Sequence, residues 1–119
     1  MSDLPIAFRN VARYVSDVEK ALPLYEALGF KRVRAFPGFA ILEASGGARL
    51  VLHEWEGINP PITSTALGFT MLNNDVARAR QHVEQAGWRL LRAPDEEDEG
   101  FFFIYADPDG NTINLVGER

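Results

Sequence analysis

One phrase occurs twice in this chain. Asp17-Val18-x-x-Ala21 … Glu26-x-x-Gly29-Phe30 returns 58 residues later as Asp75-Val76-x-x-Ala79 … Glu84-x-x-Gly87-Trp88. Each copy opens on an acidic residue suited to capping a helix, continues as an apolar stripe and closes on glycine followed by an aromatic residue. Repetition on this scale, in a chain of 119 residues, implies two matching modules. Matching modules tend to face each other and leave a cleft, so the cleft is where function is expected.

The residues around the repeat fill in each module. Residues 6–15 read as a strand with imperfect alternation. Ser16 with Glu19 forms a capping box, and the helix it opens carries Val18, Ala21, Leu22, Tyr25 and Leu28 at helical spacing. Gly29 ends that helix, and Pro23 inside it predicts a kink or a loosened turn. Strand-like runs follow at 30–36, 38–44 and 48–55, separated by Pro37-Gly38 and Gly46-Gly47. The second module repeats the order, with a strand at 66–73, a helix at 75–86 and strands at 88–93, 100–106 and 111–117. Asp107-Pro108-Asp109-Gly110 is a hairpin turn. The fold class is therefore α+β: a single domain of two tandem βαβββ modules with a curved-sheet cleft. Module one covers about 4–56, a Pro-rich linker 57–65, and module two about 66–119.

Strand parity predicts which side chains look into the cleft. Val11 and Val15 suit the helix side, which turns Asn10, Ala12 and Tyr14 outward; Leu50 and Leu52 do the same for Arg49, Val51, His53 and Trp55. In module two, Gly68, Thr70 and Leu72 lie opposite Phe69 and Met71, and Thr112, Asn114 and Val116 lie opposite Ile113 and Leu115. Arg13 breaks the scheme by falling on the apolar side, where a sheet-edge or subunit contact is the only role parity offers it.

Composition narrows the function classes. There are no cysteines, which removes disulfides and thiolate metal sites. The N-terminus lacks a basic region followed by an apolar core, and no stretch is long enough to span a membrane, so a cytoplasmic protein with no membrane partner is expected. Of the net charge of −5, all is accounted for by the run Asp95 to Glu99. That run reads as a solvated loop, or as a local field favouring a cationic ligand, and it argues against nucleic acid as a partner.

The segments YVSDVEKALPLYEALGF, GGARLVLHE and DPDGNTINLV resemble the vicinal oxygen chelate superfamily, the group of glyoxalases, extradiol dioxygenases and bleomycin-resistance proteins, across essentially the whole chain. The resemblance implies the paired-module fold, a homodimer in which modules of two chains complete each cleft, and, in metal-using members, His or Glu at four cleft positions. Counted back seven residues from each capping aspartate, two of these fall at Asn10 and Gly68; the last-strand positions fall at Asn114 and about Val51, with His53 two residues along. Asn, Gly, Asn and Val do not make the imidazole and carboxylate shell that a catalytic divalent metal needs. No metal cofactor is therefore expected.

What remains is a cleft with aromatic and polar walls. The leading expectation is a metal-free small-molecule-binding protein of the bleomycin-resistance-like branch, conferring antibiotic or toxin resistance by sequestering an aromatic or cationic ligand. Asn10 and Asn114 would be hydrogen-bonding groups at the cleft floor, Val51 and Trp55 apolar wall and His53 a titratable polar contact, with Tyr14, Gly68 and Tyr105 also facing the ligand; Phe39, Phe101 and Phe103 lie on strands whose facing the pattern leaves open. The alternative is a glyoxalase- or dioxygenase-like enzyme (lyase, isomerase or oxygenase). It would use His53 as acid or base, or a weakly bound divalent metal held by His53 with Glu43, Glu54 or Glu56. A third reading, an interaction module with a plugged cleft, is disfavoured by the small residues Ala12 and Gly68.

Overall fold

Both copies of the repeated phrase fold as helices in the computed structural model of the chain, which describes residues 5, 8–54, 66–94 and 102–117. Helix α1 spans Val18–Glu26 and α2 spans Val76–Ala86. Each is capped by the aspartate of the repeat: Asp17 accepts from the Lys20 N–H at 3.1 Å and Asp75 from that of Arg78 at 3.2 Å. The cap of α1 is thus Asp17 and not Ser16, because a carboxylate at that position answers both the free N–H groups and the positive end of the helix. Glu54 takes a further orphan donor, the Val18 N–H, at 2.9 Å. Pro23 is tolerated inside α1 on its exposed side, and its carbonyl still accepts from the Ala27 N–H at 3.1 Å. Gly87 closes α2 at φ 115°, a left-handed geometry that glycine reaches without strain.

The strands form two four-stranded mixed sheets. β1 (Val11–Val15), β2 (Lys31–Phe36), β3 (Phe39–Glu43) and β4 (Arg49–Glu54) make the first, in the order β1-β4-β3-β2. β5 (Leu67–Met71), β6 (Arg89–Arg92), β7 (Phe102–Ala106) and β8 (Thr112–Gly117) make the second, in the order β5-β8-β7-β6. In each, the first strand runs parallel to the last and the other pairs are antiparallel. Even the irregularities repeat: the register slips between Arg32 and Arg34, and again between Leu90 and Arg92. This is the expected α+β arrangement of two βαβββ units. The first strand is shorter than predicted, because its ladder begins where Val11 meets Leu50 and Phe8 stands 83% exposed before it. The linker, Trp55, Phe101 and the acidic run lie outside the described residues.

The helix-facing sides of both sheets share one core. It includes Val15, Leu22, Tyr25, Leu42 and Leu52 from module one and Met71, Val83, Trp88, Phe103 and Ile113 from module two. Trp88 packs edge-on against Tyr25 at 5.3 Å, and its indole N–H donates to the Leu24 carbonyl at 3.1 Å. Phe30 meets Phe69 at 6.1 Å. His82 reaches across as well, its Nε2 lying 2.6 Å from the Ala27 carbonyl oxygen.

Arg13 belongs to this junction. It is fully buried and donates to the Tyr25 hydroxyl at 3.2 Å and to the Thr112 carbonyl. Tyr25 in turn donates to Asp107 Oδ2 at 2.9 Å. The other carboxylate oxygen of Asp107 accepts from the N–H groups of Asp109 and Asn111 at 2.9 and 2.8 Å, which fixes the β7–β8 turn. Asn111 closes the circuit by donating to the Tyr14 carbonyl at 3.0 Å. The residue that broke strand parity is therefore an inter-module contact inside one chain.

Burial raises the Tyr25 hydroxyl above its ordinary pKa; Arg13 pulls against the rise and Asp107 adds to it. The folded chain thus holds this proton more tightly than the unfolded chain does. Its contribution is complete below the unfolded value of about 10 and declines as pH climbs beyond it. Tyr25→Phe should cost about 2 kcal/mol at neutral pH in urea unfolding. It should also flatten the fall in stability between about pH 10 and 11 relative to the parent chain.

Candidate binding face

With the helix sides sealed, each sheet turns its other face outward. Register brings four side chains of module one into a row across every strand of the first sheet. Tyr14 pairs with His53, His53 with Phe39, and Phe39 with Phe36. The rings touch in sequence: Tyr14 to His53 at 5.8 Å, His53 to Phe39 edge-on at 4.8 Å, and Phe39 to Phe36 at 6.3 Å. Phe36 is 51% exposed, His53 is exposed, and Tyr14 and Phe39 are half-buried. Such a ledge presents π-faces and edges of the kind that hold flat or charged ligands. Parity placed Tyr14 and His53 on this face from sequence. For Phe36 and Phe39 the sequence signal is the two-residue Pro37-Gly38 turn, which dictates that residues 36 and 39 pair.

One row further along the first sheet, Ala12 pairs with Val51 and Val51 with Ile41. The corresponding row of the second sheet joins Gly68, Asn114 and Ile104. These matching rows correct the count from the helix caps. One residue, Ser16, separates Val15 from Asp17, whereas three, Leu72 to Asn74, separate Met71 from Asp75. The extra length is a 3-10 turn, Leu72–Asn74, in which Asn73 and Asn74 adopt positive φ of 59° and 51°. The counterpart of Gly68 is accordingly Ala12 and not Asn10, which precedes the ladder.

Ala12, Val51, Gly68 and Asn114 offer a single side-chain oxygen among them, and taking Asn10 in place of Ala12 adds only a second amide, so neither donor set fits a catalytic divalent metal. The carboxylates considered as partners for His53 are engaged elsewhere: Glu43 pairs with Arg49 at 3.3 Å, and Glu54 caps α1. Glu56 lies outside the described residues. Among the described residues no three His, Asp or Glu side chains converge. Gly68 does leave room, since a Cβ added there would meet nothing within 4 Å.

Two predicted cleft residues are elsewhere. Tyr105 is fully buried on the core side, because β7 pairs it with Ile113; its hydroxyl donates to Glu84 at 2.6 Å and accepts from Arg80 at 3.1 Å. Burial, reinforced by the bond to Glu84, raises its pKa despite Arg80. Leu72 has left the sheet for the 3-10 turn and is 70% exposed. Phe103 is likewise core. Two hollows of about 500 Å³ lie along α2, walled largely by side chains of that helix such as Arg78, Gln81 and Gln85, with Leu72 and Asn73 of the 3-10 turn closing one of them. The aromatic row, drawn from four strands, is the better organised surface. A third hollow of about 420 Å³ borders the same face at Lys31, Val33 and Glu43.

The sequence matches the family model of the Glyoxalase/Bleomycin resistance protein/Dioxygenase superfamily over residues 7–115. Among solved structures, a fosfomycin resistance protein, FosX, from Mesorhizobium loti aligns with a TM-score of 0.74 and 14% identity over 98% of this chain and 95% of its own. A bleomycin-binding protein complexed with bleomycin aligns at 0.64 with 20% identity, over 96% of this chain and all of its own (100%). An integron cassette protein from the mobile metagenome of V. cholerae aligns at 0.66 with 25% identity, covering 98% of both chains. No curated protein is significantly similar in sequence. The donor set at the central rows predicts that Zn²⁺, Ni²⁺, Mn²⁺ or Fe²⁺ will move the melting temperature by no more than about 1 °C. A stoichiometric metal that survives dialysis would overturn that assignment.

Proposed function

The chain belongs to the Glyoxalase/Bleomycin resistance protein/Dioxygenase superfamily, and from that premise we propose that it binds a small aromatic molecule without a metal and without transforming it. The observation that carries this reading is the unbroken row Tyr14–His53–Phe39–Phe36, which spans all four strands of one sheet. The similar bleomycin-binding protein is complexed with bleomycin, and sequestration of a drug or toxin is the physiological role that fits such a surface in this chain. The chemistry of Ala12, Val51, Gly68 and Asn114 supports the metal-free half of the reading.

Exposed apolar side chains support a second wall. Phe36, Val33, Leu91 and Val116 are all more than a third exposed and lie on strands of the two sheets. Apolar surface left bare in this way commonly awaits a ligand or a second chain. A homodimer in which another copy completes the cleft is part of the proposal, and light scattering of the purified protein tests it.

Binding itself is tested with 2-naphthol. Amide chemical-shift changes should centre on Tyr14, Phe39 and His53, and Phe39→Ala should weaken binding by about fivefold or more, the worth of one aromatic contact. Mass spectrometry after incubation with bleomycin or fosfomycin should return each compound unchanged. Turnover abolished by His53→Ala would instead make this exposed imidazole an acid–base catalyst.

A further inference from the structure

Among the described residues the helix side carries both signs, with Lys20, Arg32, Arg78 and Arg80 beside its carboxylates, whereas the outward sheet faces carry mostly cations. Most acidic side chains lie on or beside the helices, as Asp17, Glu19, Glu26, Asp75 and Glu84 do. Parity and register put Lys31, Arg34 and Arg49 on the outward face of the first sheet, with Glu43 as the one carboxylate among them. On the second sheet Arg89 and Arg92 stand across from Ala106 and Ile104, again outward. A chain with a net charge of −5 thus carries outward sheet faces on which, among the described residues, five cations meet one carboxylate. Glu43 is already paired with Arg49. Arg34 is exposed and makes no ion pair among the described residues, whose ion pairs join Arg32 to Glu26, Arg49 to Glu43 and Arg80 to Glu84.

Arg34 is placed to act together with the aromatic row. It sits two residues before Phe36 on the same strand, opposite Ile41, and so about 7 Å from Phe36 on the same face. From these placements, and resting on the reading of the row as a ligand platform, we infer that the ligand is an aromatic anion. Its ring lies on Phe39 and His53, and its carboxylate or similar group is held by the Arg34 guanidinium. A guanidinium offers paired N–H donors that match a carboxylate, and the length of the arginine side chain lets it reach the acidic group of a ring lying over the neighbouring Phe36–Phe39 pair. This polarity is the opposite of the one the acidic run Asp95 to Glu99 suggests when read alone.

Three probes of one shape separate the claims: 2-naphthoate, neutral 2-naphthylmethanol and cationic 2-naphthylmethylammonium, each titrated by calorimetry into the intact protein. Naphthoate should bind about fivefold more tightly than the alcohol, the worth of one partly exposed charge contact, and the ammonium more weakly than either. Arg34→Gln should erase the preference for naphthoate and leave the alcohol within about twofold, and the preference should shrink as salt is added. If the alcohol binds while naphthoate is no tighter, or if Arg34→Gln preserves the preference, the inference of an anion held by Arg34 is overturned and the aromatic platform stands. If none of the three binds, the platform itself is wrong and the inference falls with it.

Discussion

The hydrogen-bonded chain from Arg13 through Tyr25 to Asp107 is the constraint on which the joining of the two modules depends. Removing a guanidinium and a carboxylate from water costs several kcal/mol each. The charge-assisted bonds that replace the water return about 1.5–3 kcal/mol apiece, so the circuit comes close to balance as a source of stability. What it supplies is geometry. Arg13 grips the Thr112 carbonyl, Asp107 organises the β7–β8 turn and Asn111 holds the Tyr14 carbonyl, so β1 is held against the start of β8. An apolar contact tolerates sliding; this circuit does not, because each slip leaves a buried polar group unmatched.

The repeat makes the asymmetry of that circuit visible. By strand register, the counterpart of Arg13 in module two is Phe69, since Arg13 lies across from Leu52 and Phe69 across from Leu115. The helix repeat makes Val83 the counterpart of Tyr25. One side of the junction is therefore a polar latch, and the matching side is the packing of Phe69 against Phe30 with Val83 buried nearby in the core. A duplicated unit with identical junctions would allow its halves to associate in more than one way. A buried polar latch on one side of the junction, with no equivalent at Phe69 and Val83, selects one, at little net cost.

Much of this architecture was written in local patterns. The aspartate caps, the glycine stops and the alternation of Leu50, Leu52, Ile113 and Leu115 each act over a few residues, and the helices and sheets follow them. Arg13 was conspicuous as a parity violation, but its partners lie 12 and 99 residues away, beyond the reach of any local rule. The count from the helix caps failed for a related reason. It assumed that both modules turn from strand to helix in the same number of residues, and the 3-10 turn at Leu72–Asn74 adds two. Tyr105 was misplaced because Phe102, Phe103, Ile104 and Tyr105 form an apolar run with no alternation, and only pairing with β8 decides which of them turn inward.

Magnitudes decide what kind of site the aromatic row makes. A flat ligand resting on Phe39, His53 and Phe36 hides one of its faces, roughly 150 Å² of apolar surface, which at about 25 cal/mol per Å² is worth about 4 kcal/mol. That corresponds to millimolar affinity at best, before the cost of immobilising the ligand is met. One charge contact at an exposed arginine adds about 1 kcal/mol. A single sheet face is thus a weak receptor, and sequestration at useful concentrations requires the second face of the ligand to be covered as well. The repeat supplies a second outward face, on which register brings Thr70, Val116 and Phe102 into the matching row, within the chain or in a second copy. The bareness of Phe36, Val33, Leu91 and Val116 marks the surface on which that covering has to occur.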